Sequence, residues 1–147
     1  KMTTTKLYVE HYGYCEDSYH DGEKYGSWSE SNSHSIKGVC LEVFGSAYNY
    51  ETFGVDYEVE RGDVVFVVTM VYSTGDSFGH ATGKHEVMWV FKDPKLAHEN
   101  AKTFKESGDD YTVNIKTESG KTVQLGNPAF SYFDSIENVE VTSHVVT

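Results

Sequence analysis

Arginine is nearly missing from this 147-residue chain: Arg61 is the only one among 12 basic residues, which face 23 Asp and Glu for a formal net charge of −11. With so little guanidinium, bidentate anchoring of phosphates or carboxylates has almost no means. A chain this negative is also no direct nucleic-acid binder, since that needs a basic footprint for phosphate contacts. Cysteine is scarce as well. Cys15 and Cys40 are the only two, far below the disulfide density of a small secreted scaffold, so reduced thiols in a cytosol are expected. The two prolines, the want of a Pro-rich or Ser/Gly-rich linker and the want of an internal repeat point to one domain over residues 1–147. No run approaches ~18 apolar residues, and Lys1-Met2-Thr3-Thr4-Thr5-Lys6 has no apolar signal-peptide core, so neither a membrane span nor export by that route is expected. Lys1 ahead of Met2 reads as a residue left from cloning, with Met2 the natural start.

Aromatic side chains, in contrast, are plentiful. Eleven Tyr, 8 Phe and 2 Trp in a chain that is 38% hydrophobic exclude a disordered polymer and favour β-structure. A chain of this size can bury roughly 68–70% of its unfolded surface, enough for a core without metals or staples. The run Asp63-Val64-Val65-Phe66-Val67-Val68-Thr69-Met70-Val71-Tyr72 reads as a central strand covered on both faces. It pairs in a hairpin with Glu86 to Lys92 across a long loop from Ser73 to Lys84. Strands are also expected over Lys6–Tyr14, Ser35–Phe44, Tyr111–Lys116, Lys121–Leu125 and Ile136–Val146, with Glu118-Ser119-Gly120 as a tight turn. One helix is signalled, over about 94–107: Asp93 caps it, Pro94 takes its first position, Leu96, Ala97, Ala101 and Phe104 recur at helical spacing, and Gly108 stops it. The expected fold is α+β, a mainly antiparallel sheet of about seven or eight strands covered by one amphipathic helix.

Three segments carry candidate chemistry. His11, Cys15 and His20, among Glu16, Asp17 and Asp21, are of the residue types that ligate divalent metals, but no Cys-x-x-Cys or His-x-x-x-His completes the set, and no metal or other cofactor is expected. The seven histidines read as surface titrators rather than ligands. In the second segment, Ser73, Thr74, Asp76, Ser77, His80, Thr82, Lys84 and His85 interleave with glycines at 75, 79 and 83, as in a loop that cradles an anion on backbone N–H groups. It is not a Walker loop, because the glycine spacing is one residue short, His85 stands where Ser or Thr belongs, and a strand follows instead of a helix. Gly75-Asp76-Ser77 has the letters of a hydrolase nucleophile box, yet the sole Asp-x-x-His, Asp17 to His20, lies upstream. His80-Ala81-Thr82 supplies one half of a two-histidine phosphoesterase signature and has no second half. No catalytic constellation is complete, so the chain reads as a non-enzyme.

The third segment is an acidic-aromatic face: Tyr12, Tyr14, Glu16, Asp17, Tyr19, Asp21, Tyr25, Trp28, Tyr48, Tyr50 and Glu51. Tyr and Trp dominate interface hot spots, and carboxylates around them steer a domain toward a basic protein surface. Between residues 8 and 60, eleven acids face only Lys24 and Lys37, so the negative charge reads as a property of the N-terminal half.

The block Val64 to Phe91, centred on Tyr72-Ser73-Thr74-Gly75-Asp76-Ser77-Phe78-Gly79 and followed by Phe91-Lys92-Asp93 and an Ala-bearing helix, resembles small uncharacterised phage and prophage proteins, as does the opening Lys6-Leu7-Tyr8-Val9-Glu10. The resemblance implies a setting and carries no activity. In that setting the expected function is a cytoplasmic accessory protein of the bacterial host cell that binds and inhibits a host defence protein through a basic surface, mimicking nucleic acid as anti-CRISPR-like inhibitors do. The alternative is sequestration of a nucleotide immune signal by residues 73–85. Neither direct nucleic-acid contact nor a membrane is expected, and the residues leave the oligomeric state open.

Overall fold

A computed structural model describes residues 5–11, 17–20, 23–25, 36–43, 50–75, 79–108, 110–129 and 135–147, of which 17–20, 23–25, 74–75 and 79–83 are described as backbone. In chain order the elements are β1 (Thr5–His11), β2 (Asp17–His20), β3 (Glu23–Tyr25), β4 (Ile36–Cys40), β5 (Tyr50–Val55), β6 (Val64–Gly75), β7 (Gly79–Phe91), α1 (Pro94–Glu106), β8 (Thr112–Lys116), β9 (Thr122–Gly126) and β10 (Ser135–Val145). The α+β expectation holds: the strand ladders are antiparallel, in sheets ordered β4-β1-β5, β10-β6-β7-β2-β3 and β8-β9, with a single helix among the described residues. Ten strands are present there, β2, β3 and β5 being the additions to the strands read from the sequence.

The apolar run of β6 is covered on both faces, as its composition requires. Val65 and Val67 join Leu7, Val9, Val39, Val55, Val87 and Val90 in one core cluster, while Val68, Met70 and Tyr72 face Ala97, Ala101 and Phe104 of α1 and Val113 and Ile115 of β8 in another. The five-stranded sheet is thus a middle layer, with the three-stranded sheet on one side and α1 with the β8–β9 hairpin on the other. Each fully buried aliphatic or aromatic side chain on these faces stabilises by about 1.5–3 kcal/mol.

At one corner the two larger sheets are joined. Val39 and Val146 form a parallel bridge, Leu41 N donates to Thr147 O at 3.0 Å, and Thr147 N donates to Val39 O at 3.0 Å. The result is one curled surface ordered β5-β1-β4-β10-β6-β7-β2-β3, a barrel left open between β5 and β7. Across that opening the buried Tyr57 hydroxyl donates to Val90 O at 2.9 Å.

Local rules explain α1. Asp93 Oδ1 accepts from Lys95 N at 2.9 Å, Pro94 needs no donor at the first position, and Gly108 adopts φ 57° just beyond Ser107. The buried Asn100 was not among the expected core positions. Its Nδ2 donates to Lys116 O at 3.0 Å and its Oδ1 accepts from Lys116 N at 3.0 Å, so one side-chain amide pairs with β8 as a neighbouring strand would.

The expected loop from Ser73 to Lys84 is corrected. β6 and β7 stay paired through Tyr72↔Lys84, Thr74↔Ala81 and Gly75↔His80, with an irregularity between Tyr72 and Thr74. On its other edge β7 pairs with β2, from Asp17↔Thr82 to His20↔Gly79. The glycines suggested a loop, but two flanking ladders outweigh the weak strand propensity of single glycines.

Candidate functional site

The opening between β5 and β7 gathers groups that the sequence scatters over three candidate sites. Antiparallel register sets Glu51 of β5 opposite Val9 of β1, and His11 ends the same strand. His85 of β7 is 4% exposed, and its ring meets that of His11 edge to face, with centroids 6.5 Å apart. Next to it, Glu51 and Glu86 line a groove of about 340 Å³ together with Thr52, Phe53, Val87, Met88, Leu125 and Gly126. Phe53 is braced against Trp89 in a T-shaped contact at 5.7 Å. Burial pushes both carboxyls upward from the ordinary range. The positive potential of His11 partly offsets this at Glu51, whereas the charge of Glu51 raises Glu86 further. Among the described residues no hydrogen bond or ion pair engages either carboxylate. Two half-buried acids on apolar walls can hold a cationic group or exchange protons with one.

A second acidic region lies at one end of the barrel. Asp63 Oδ2 accepts from Glu60 N at 2.8 Å, and the Lys92 ammonium donates to Glu58 O at 2.9 Å and lies 3.6 Å from Asp63 Oδ2. Lys92 N donates to Glu118 Oε1 at 2.9 Å. Asp56 Oδ2 accepts from the Thr117 and Ser119 hydroxyls, which fixes the turn between β8 and β9. Arg61 pairs with Glu42 at 3.5 Å. Glu118 is pushed up to about 7, chiefly by burial and then by Asp56 and Asp93, against the lowering bond from Lys92 N. Asp56 is held below the ordinary range by its hydroxyl and amide donors, which outweigh its own burial. Acids from both halves of the chain meet here.

A larger cleft, about 490 Å³, is lined by Glu10, Lys37, Cys40, Tyr50, Arg61 and His144 among others. Its charges are mixed: Lys37 lies 3.9 Å from Glu10. Cys40 has a free thiol that donates to Tyr8 O at 3.8 Å, and burial, then Glu10, raises its pKa. Burial lowers that of His144.

Tyr50 and Glu51 of the expected acidic-aromatic face do not share one face. Tyr50 and Glu51 are consecutive on β5, so pleating sends Tyr50 to the larger cleft and Glu51 to the groove. Asp17, Tyr19 and Tyr25 lie on β2 and β3, and Tyr12, Tyr14, Glu16, Asp21, Trp28 and Tyr48 lie outside the described residues. The segment expected to form an anion cradle is largely paired strand. Thr74, His80 and Thr82 lie in strands, with the His80 and Ala81 backbones paired on both edges. The Ser73 hydroxyl bonds that of Ser135 at 2.7 Å, and His85 is buried rather than presented to solvent. Lys84 and His85 are consecutive strand residues and cannot share a face. Asp76 and Ser77 lie outside the described residues. Of the weak metal candidates, His20 is on β2, Cys15 lies outside the described residues, and His11 meets His85. Among the described residues no three His, Cys, Asp or Glu side chains gather so as to hold a metal ion, and no helix is long and apolar enough to cross a membrane.

Glu86, Phe53 and Leu125 were missed as site residues. The one sequence signal was a carboxylate opening the apolar run Glu86-Val87-Met88-Trp89. Comparison of the chain with protein-family models, curated proteins and solved structures finds no match.

Proposed function

We propose that this chain is a non-enzymatic binding protein that docks its acidic surface onto a basic surface of another protein. The observation that supports it is the convergence of the Asp56, Asp63, Asp93 and Glu118 carboxylates around Lys92 at one end of the barrel. Such a concentration of like charge disfavours compaction and is of use where a positive surface relieves it. With the resemblance of Val64 to Phe91 to phage and prophage proteins, the reading extends to an accessory factor in the bacterial cytoplasm. There it blocks the nucleic-acid-binding surface of a host defence protein by mimicking nucleic acid.

The test is a pull-down from bacterial lysate at two salt concentrations. The reading expects a basic partner whose recovery falls as salt rises, because exposed charge pairs are screened within about 8 Å at physiological ionic strength. Recovery indifferent to salt, or no partner, would overturn it.

A further inference from the structure

We propose that the groove between β5 and β7 is a receptor for one arginine side chain of a protein partner, with Glu51 and Glu86 facing its guanidinium and Phe53, Met88 and Leu125 covering its aliphatic stem. The inference rests on the basic-partner reading above and adds the place and the chemistry.

Several buried polar atoms are met from within the chain, Asp56 Oδ2 by two hydroxyls, the Asn100 amide by the β8 backbone and the Tyr57 hydroxyl by Val90 O, while others, such as Glu118 Oε2, are not. Glu51 and Glu86 come from different sheets into one groove and, among the described residues, engage no donor. Partly withdrawing two carboxylates from water is costly, the positive potential of His11 offsets it only at Glu51 and only in part, and the upward displacement of both acids expresses what is left. A cation seated between them reverses it.

The lining selects the kind of cation. Val87, Met88, Phe53 and Leu125 offer a hydrocarbon wall, which suits a charged head on an alkyl stem better than a hydrated ion. A planar guanidinium carries five N–H donors, can face two carboxylates at once, and stacks on an aromatic ring such as Phe53, which Trp89 holds in place. The chain's own single arginine is engaged elsewhere, with Glu42. The complementary residue must therefore come from a partner.

The experiment titrates the full chain with the acetylated, amidated tripeptide Gly-Arg-Gly and with its citrulline counterpart, which keeps the shape and lacks the charge. Backbone and methyl NMR signals are the readout. The expected result is saturable shifts centred on Glu51, Phe53, Glu86, Met88 and Leu125 with the arginine peptide only, weakened about tenfold or more in Glu51→Gln/Glu86→Gln. Gln keeps size and removes charge, so this variant should melt no lower than the parent, and a melting curve checks that it is folded. Shifts spread over the acidic end and not the groove, equal binding of citrulline, or an unaffected double variant would overturn the proposal. So would Zn²⁺ producing the same groove shifts while the arginine peptide produces none. A partner recovered equally well by parent and double variant would refute the groove and spare the basic-partner reading. Failure to recover any partner while the arginine peptide still seats in the groove would do the reverse.

Discussion

Replacing Glu118 by Gln should remove a slope from the pH dependence of stability. In the fold Glu118 Oε1 accepts from Lys92 N, Oε2 is buried without a partner, and Asp56 and Asp93 stand near. Its carboxyl titrates at about 7 rather than at its ordinary 4.5. Between those values the folded chain holds a proton that the unfolded chain has released, so stability falls as pH rises through the window and the full deficit persists above it. At 1.36 kcal/mol per pH unit the gap corresponds to about 3 kcal/mol before screening. The carboxyl is only partly shielded, and water screens it to a working figure of about 1–2 kcal/mol. Gln keeps the acceptor for Lys92 N and has no charge to desolvate. The two proteins should therefore match near pH 4.5, and at pH 8 the variant should melt higher by roughly 3–6 °C. The comparison is made as a difference between urea or thermal midpoints of variant and parent at each pH. Glu51 and Glu86 add slopes of the same sign and His144 one of opposite sign, and these cancel in the difference. Parallel profiles across pH 4.5–8, or a variant less stable at pH 8, would refute the reasoning.

Asn100→Asp should cost about 2 kcal/mol or more by urea denaturation at neutral pH, since a carboxylate cannot donate to Leu96 O and Lys116 O. Tyr57→Phe should cost about 1–3 kcal/mol, because it leaves the buried Val90 carbonyl without its donor while changing no packing volume of note. Phe104→Ala should cost about 3–5 kcal/mol and lower the denaturation midpoint with the m-value unchanged, as expected for a side chain fully enclosed between α1 and the middle sheet.

Elements governed by local rules were legible before any tertiary contact was known. Asp93, Pro94 and Gly108 mark α1 within a residue or two, and the unbroken apolar stretch of β6 announces a strand covered twice. The segment 79–83 was misread because its ladder with β2 comes from a stretch some sixty residues upstream, and glycine content speaks only of local preference. β5 was passed over for a related reason. Tyr-Glu-Thr-Phe-Gly-Val mixes a charge and a glycine into a half-buried strand whose stability comes from β1. The groove was out of reach altogether. Glu51 and Glu86 belong to different sheets, and nothing in the spacing of two isolated glutamates tells that a barrel opening will bring them to one wall.

The placement of β10 against β6 has a consequence for synthesis on the ribosome. β6 finds β7 almost at once as a hairpin, but its other edge pairs with Ser135 to Val145, from Val64↔Val145 to Ser73↔Ser135. At about 5–20 residues per second, the apolar run from Val64 to Tyr72 waits on the order of 3–14 s with one edge open. A β-branched segment of that kind is a template for pairing with other chains. Removal of residues 135–147 should therefore yield insoluble aggregate rather than a smaller soluble fold, and the nascent chain depends on either a quick finish or a holding chaperone.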